Sequence, residues 1–259
     1  MKPPPTDGRP PTELPDLQRA ASKSVADSGR FFADFETLSP LSLPIVGPVN
    51  YLRHKRTRPL VLFWAVDDGP VHVWKWGEAI EPLLAAIKTA PLFVSHGTFD
   101  RVCWNVHMVP LGLPPIPIER SEDNMVRCQK AGIPSGLDKA AAALKFPPEL
   151  RKLDGRIALE MSRPREPRPG EDPHGTYAID DPEKWAKFIE YGKRDVEVLR
   201  ALNDAVPPPT ELDRLEWACS EYINETGIYL DGLAIEKSCE LIEIAQQEAN
   251  ARVQRFTNN

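Results

Sequence analysis

Proline limits how this chain can fold more than any other residue. There are 28 prolines among 259 residues. Each lacks a backbone donor and holds φ near −65°, so clusters of them cannot lie inside helices or central strands. They gather at Pro3, Pro4, Pro5, Pro10, Pro11 and Pro15, at Pro164, Pro167, Pro169 and Pro173, and at Pro207, Pro208 and Pro209. The chain is thereby divided into a tail over 1–28, a body over 29–206 interrupted by one long loop, and a helical segment over 210–259. The tail has no apolar periodicity and is expected to be mobile.

Within the body, Arg30–Glu36 and Leu60–Val66 read as strands. Asp67-Asp68-Gly69-Pro70 is a turn leading into a returning strand, Val71–Trp74. Glu78–Lys88 places Ile80, Leu83, Leu84 and Ile87 at helical spacing, and Leu92–Val94 is a short buried strand. Helices are predicted over about 121–131, 136–145, 152–161, 182–204, 211–224 and 232–256. Strands alternating with helices predict an α/β sandwich around a mixed sheet, followed by a C-terminal helical segment.

With 41% hydrophobic and 27% charged residues, the chain has the composition of a soluble globular protein able to build its own core. Cys103, Cys128, Cys219 and Cys239 are scattered without a CxxC pair, which excludes a zinc-finger spacing and suggests a reducing, cytoplasmic setting. The longest apolar run, Leu60–Val66, is too short to span a bilayer, so no membrane partner is expected. The net charge of −6 gives no basic footprint for nucleic acid. A site built from carboxylates is acidic in its own right, however, and bound metals reverse its local sign.

Three segments supply such carboxylates. Side chains alternate along a strand, so Asp34 and Glu36 share one face, and like charges so placed repel unless a cation lies between them. In Leu92–Asp100 a strand runs through a glycine turn into a helix, with Thr98 placed to cap it and Asp100 in its first turn. The third helix opens with Asp181 as cap and Pro182 at its first position. Taking Phe188 as zero at 100° per residue, Gly192, Asp195 and Leu199 fall at roughly 40°, −20° and 20°. Asp195 therefore lies within the apolar stripe, and Tyr191 stands one turn before it. A carboxylate facing a core needs a partner or it protonates. Four carboxylates from three segments make a plausible oxygen-ligand set for Mg²⁺ or Mn²⁺.

Asp34-Phe35-Glu36-Thr37, then Phe99-Asp100, then Tyr191-x-x-x-Asp195 resembles in order and spacing the three motifs of DEDD-type 3′–5′ exonucleases, tyrosine subclass. Gly132-Ile133-Pro134-Ser135-Gly136-Leu137-Asp138 and the later Tyr222–Asp231 segment narrow the resemblance to family-A DNA polymerases of phage or prophage type. The resemblance implies an RNase H-like (DnaQ-like) fold. It also implies that 210–259 is the helical start of a polymerase domain, whose remaining domains would be partners.

Carried over by position, Asp34, Glu36, Asp100 and Asp195 would hold two Mg²⁺ or Mn²⁺ ions, and Tyr191 would orient the attacking water. Thr37, Phe99 and His96 would meet the terminal nucleotide, and Leu41 would wedge against its base. The family usually has Asn where His96 stands, which bears on substrate contact rather than on the metals. The implied substrate is a single-stranded DNA 3′ end or a frayed primer–template. Arg53, Lys55, Arg56 and Arg58, and the loop bearing Arg163, Arg165 and Arg168, are either strand guides or solvated surface. An exoribonuclease of the RNase D type and a non-catalytic scaffold are the alternative readings.

Overall fold

The computed structural model describes residues 29–257, so the proline-rich tail lies outside the described residues. Two compact units divide the chain, one reaching to Glu221 and the other running from Tyr222 onwards.

The first unit is built on a five-stranded mixed sheet. Its strands are β1 (Arg30–Leu38), β2 (Arg58–Val66), β3 (His72–Lys75), β4 (Leu92–Ser95) and β5 (Ser121–Asp123), in the spatial order β3-β2-β1-β4-β5. β2 pairs antiparallel with β1 and β3, while β4 runs parallel to β1 and β5 parallel to β4. The helices flanking the sheet are α1 (Leu43–Arg53), α2 (Glu81–Thr89), α3 (Phe99–Cys103), α4 (Asn124–Lys130), α5 (Leu137–Ala143), α6 (Arg156–Met161), α7 (Pro182–Ala205) and α8 (Glu211–Thr226), the last of which crosses into the second unit. This is an α/β architecture compatible with an RNase H-like fold.

Alternation along β1 feeds both faces of the sheet. Phe31, Ala33 and Phe35 enter one core with Trp64, Phe93 and Trp104. Phe32 and Leu38 enter another with Phe63, Phe188, Tyr191 and Leu199. Asp34 and Glu36 therefore lie on the face that α7 covers. β1 pairs with β4 only through Phe32, so its acidic half runs on past the end of β4. Open α/β sheets form their ligand sites at the carboxyl ends of parallel strands.

α7 packs unusually close to the sheet at Gly192. A Cβ there would stand 2.0–2.4 Å from ring atoms of Phe63, which is itself fully buried. At its start, Asp181 caps α7 by accepting from the Glu183 and Lys184 amides at 3.0 and 3.2 Å. At its end, the buried Arg127 of α4 gathers the last carbonyls. Its guanidinium donates to Asn203 at 2.8 Å, to Val206, and to Pro207 at 3.2 Å.

Two local expectations are corrected, and one helix forms where none was predicted. Residues 121–123 form a short strand rather than the start of a helix; a three-residue polar strand carries no alternation and exists through its pairing with β4. Thr98 precedes α3 but makes no capping bond. The turn before α3 is held instead by Asp123, which accepts from the Gly97 amide at 2.8 Å. Finally, α1 forms despite Pro44, Gly47 and Pro48, as two helical pieces joined at a kink where Gly47 takes φ 74°. That left-handed backbone is one glycine tolerates without a Cβ penalty.

In the second unit, α9 (Gly232–Thr257) is a 26-residue helix with no buried residue. Leu241 is 67% and Phe256 89% exposed. No helix among the described residues is long and apolar enough to cross a membrane.

Candidate active site

Three backbone elements bring the acidic residues together. Asp34 and Glu36 come from β1, Asp100 from the first turn of α3, and Asp195 from the middle of α7. Asp100 is tied to β1 directly, because its Oδ1 accepts the Phe35 amide at 2.8 Å. Asp195 is 3% exposed and lies on the buried stripe of α7 with Phe188, Tyr191 and Leu199.

All four carboxyls have raised pKa values. Burial is the first cause at each, because desolvation penalises the charged form. Asp34 is pushed up to about 7, with Asp195 adding repulsion and Lys152 opposing it. Glu36 is raised further by Asp34, Asp195 and Asp100, and Asp100 by Asp34. Tyr191 stays a phenol, its pKa raised by burial and then by Asp195 and Glu36.

Asp34 Oδ2 and Asp195 Oδ1 are buried without a hydrogen-bond partner among the described residues. Buried polar atoms are ordinarily satisfied, and a cation is one kind of partner that two unpaired acceptors beside mutually repelling acids could accept. As oriented, no three acidic, histidine or cysteine side chains among the described residues form a ready-made metal chelate. The donor set is all oxygen, which suits a hard divalent ion such as Mg²⁺ or Mn²⁺.

The present counter-charge is Lys152, in the loop before α6. Its Nζ donates to Asp195 Oδ2 at 2.7 Å and lies 5.1 Å from the centre of the Tyr191 ring. Nothing in the sequence announces this residue. It sits 43 positions from its partner, at the head of a stretch, 152–161, that reads as a helix but becomes helical only from Arg156.

The residues expected to meet substrate divide into two groups. The Thr37 hydroxyl is 3.0 Å from the Tyr51 hydroxyl, the Tyr51 ring is 6.1 Å from Phe99, and Leu41 packs at the edge of the same core. His96 is elsewhere. Its Nε2 lies 2.7 Å from the Ser135 carbonyl, which ties the turn before α3 to the Gly132–Asp138 segment. Burial lowers the His96 pKa, so the ring is neutral at pH 7. With Nε2–H donating, Nδ1 is a buried acceptor with no partner among the described residues. His96, Leu137, Asp138, Lys152, Leu153, Asp154 and Gly155 line an open cavity of about 530 Å³.

Of the basic groups, Arg165 and Arg168 are neutralised by Glu171 and Asp180. Arg56 is spent on the Gly175 carbonyl and the Thr176 hydroxyl. Arg53, Lys55 and Arg163 remain exposed.

The raised carboxyls predict a pH signature for the metal-free protein. Asp34 binds its proton more tightly folded than unfolded. The resulting stability is fully present below the unfolded value of 3.8 and is lost as pH rises through about 7. Asp34→Asn carries no such proton. In EDTA its melting temperature relative to wild type is expected to climb between pH 5 and pH 8. A gap that is flat or shrinks over that range would show that Asp34 is not strained by its neighbours.

No protein-family model matches the chain. It is 28% identical over 206 residues to the DNA polymerase of Bacillus phage SP02, and the match covers 76% of this chain and 31% of that polymerase. The chain thus spans less than a third of the length of the curated relative it matches.

Proposed function

We propose that this chain is a 3′–5′ exonuclease of the DEDD tyrosine subclass, the proofreading portion of a phage-type family-A DNA polymerase. It would release nucleoside monophosphates from single-stranded or frayed DNA 3′ ends. Relatedness to a phage DNA polymerase supports the setting. The observation that carries the activity is the gathering of Asp34, Glu36, Asp100 and Asp195 from three elements into one buried, mutually repelling group with orphaned oxygens.

These carboxylates would hold two Mg²⁺ or Mn²⁺ ions, which when bound supply charge stabilisation for displacement at phosphorus. The reaction joins a water oxygen to the terminal phosphorus and breaks its bond to the preceding 3′ oxygen. The Tyr191 phenol, protonated at all working pH values, is suited to hold that water by hydrogen bonding. The cavity edged by His96 and Lys152 would receive the strand. A base-paired end would have to unpair first, at a cost of about a few kcal/mol, which favours frayed or mismatched termini. Thr37, Leu41 and Phe99 would border the terminal nucleotide around Tyr51. The segment from residue 210 onward would begin the polymerase domain.

The test is release of mononucleotides from 5′-labelled single-stranded DNA, with Mg²⁺ and with EDTA. Magnesium-dependent shortening from the 3′ end is expected; its absence in clean, folded protein overturns the proposal. Tyr191→Phe removes one oriented hydroxyl and leaves the acids in place. It is expected to slow release by roughly 10- to 100-fold, at or below the usual range for losing one positioned acid–base group.

A further inference from the structure

Lys152 gives the acidic site a property that the exonuclease reading does not itself require. Its ammonium lies 2.7 Å from Asp195 Oδ2, in a pair whose side chains are 28% and 3% exposed. It also sits 5.1 Å from the Tyr191 ring centre, close enough for a cation–π contact. Asp34 and Glu36 both feel its charge. One lysine thus neutralises part of a group of four acids. Its stem comes from the irregular stretch between Leu150 and Arg156, where a lysine can swing without breaking a helix or a strand. The cavity of about 530 Å³ that Lys152 lines gives the displaced side chain somewhere to go.

We propose that Lys152 is a tethered counter-ion of the carboxylate group, competing with divalent cations for Asp195, so that the site rests on its own lysine when metal is scarce. The proposal depends on the metal-binding reading above. The ammonium holds Asp195 Oδ2 and the unpartnered oxygen is Oδ1, so an ion entering at Oδ1 would bring two positive charges to one carboxylate, and their repulsion opposes the ion and drives the ammonium off. Lys152 would then act as a positioning residue: it keeps Asp195 and its neighbours together without metal and raises the metal concentration needed to load the site.

The first test measures Mn²⁺ binding to the full chain by titration calorimetry, without DNA, for wild type, Lys152→Met and Lys152→Arg. Removing the competing charge should tighten Mn²⁺ binding in Lys152→Met by roughly tenfold, a discounted share of the Coulomb term for so close a pair. Lys152→Arg keeps the charge and should stay near wild type. A purely structural lysine would give the opposite sign, with weaker Mn²⁺ binding in Lys152→Met. Weaker or unchanged binding in Lys152→Met overturns the proposal while leaving the metal site standing. If wild type binds no Mn²⁺, the metal-site reading fails and the proposal with it.

The second test does not depend on Lys152→Met folding. In wild-type protein carrying ¹³C-labelled lysine, the Lys152 side-chain signal is assigned by its loss in Lys152→Arg. It should move towards the position of solvent-exposed lysines on saturation with Mg²⁺. A signal unmoved by saturating Mg²⁺ overturns the proposal.

Discussion

Asp34→Ala should abolish magnesium-dependent release of nucleoside monophosphates while leaving the protein folded. If the carboxylate helps to hold an ion that stabilises charge at phosphorus, its loss forfeits several kcal/mol of the barrier reduction. At 1.36 kcal/mol per factor of ten, that is a fall on the order of 10³-fold or more. The fold should survive because Asp34 is already costly to keep: it is pushed up to about 7 by burial and by Asp195, and one of its oxygens has no partner. Alanine relieves that strain, so the variant should melt no lower than wild type in EDTA at pH 8. Full activity in homogeneous Asp34→Ala would refute the two-metal reading. Lost activity together with a lower melting temperature would mean that the residue is structural.

The second large effect is expected at a residue with no functional group. Gly192→Ala would place a methyl carbon within 2.0–2.4 Å of the Phe63 ring. Phe63 is fully buried and packs edge-on against Phe188, with ring centres 6.1 Å apart, so it has little room to yield. Overpacking of this kind costs about 1–3 kcal/mol. Alanine's better helix propensity returns up to about 1 kcal/mol. The net, up to about 2 kcal/mol, should lower the melting temperature by up to about 8 °C, taking about 2–4 °C per kcal/mol for a unit of this size. The clash can also be relieved by lifting α7 off β2. That carries Tyr191 and Asp195 away from Asp34 and Glu36, because the first two are fixed to α7 and the last two to β1, the strand paired with β2. Exonuclease activity should therefore fall more than tenfold even at temperatures where the variant is fully folded. A variant as stable and active as wild type would show that the close approach is not needed.

Much of this site was legible in the sequence, for a physical reason. Strand alternation and helical periodicity are local rules, and they assign Asp34 and Glu36 to one face and Asp195 to a buried stripe. The capping pair Asp181-Pro182 is equally local, and the structure places α7 from Pro182. What escaped depends on distant neighbours. Lys152 gains its meaning from Asp195, and Asp123 from the Gly97 amide it holds. β5 exists because β4 offers it an edge. Helix α1 runs against its own composition, and only its packing, with Tyr51 and Leu52 buried, accounts for it. Sequence periodicity also says nothing about side-chain hydrogen bonds, so the pairing of the Thr37 hydroxyl with that of Tyr51, 3.0 Å away, is not foreseen.

The clamp formed by Arg127 has a mechanical side. α7 carries Tyr191 and Asp195 and ends where the chain leaves towards Pro207–Pro209. The carbonyls at that exit are gripped by a guanidinium that belongs to α4. A pull on the chain at residue 210 or beyond is therefore shared with α4 and, through the Arg127–Glu122 pair, with β5, before it can stretch or turn α7. The three prolines add stiffness to the tether, and Arg127 acts as its strain relief.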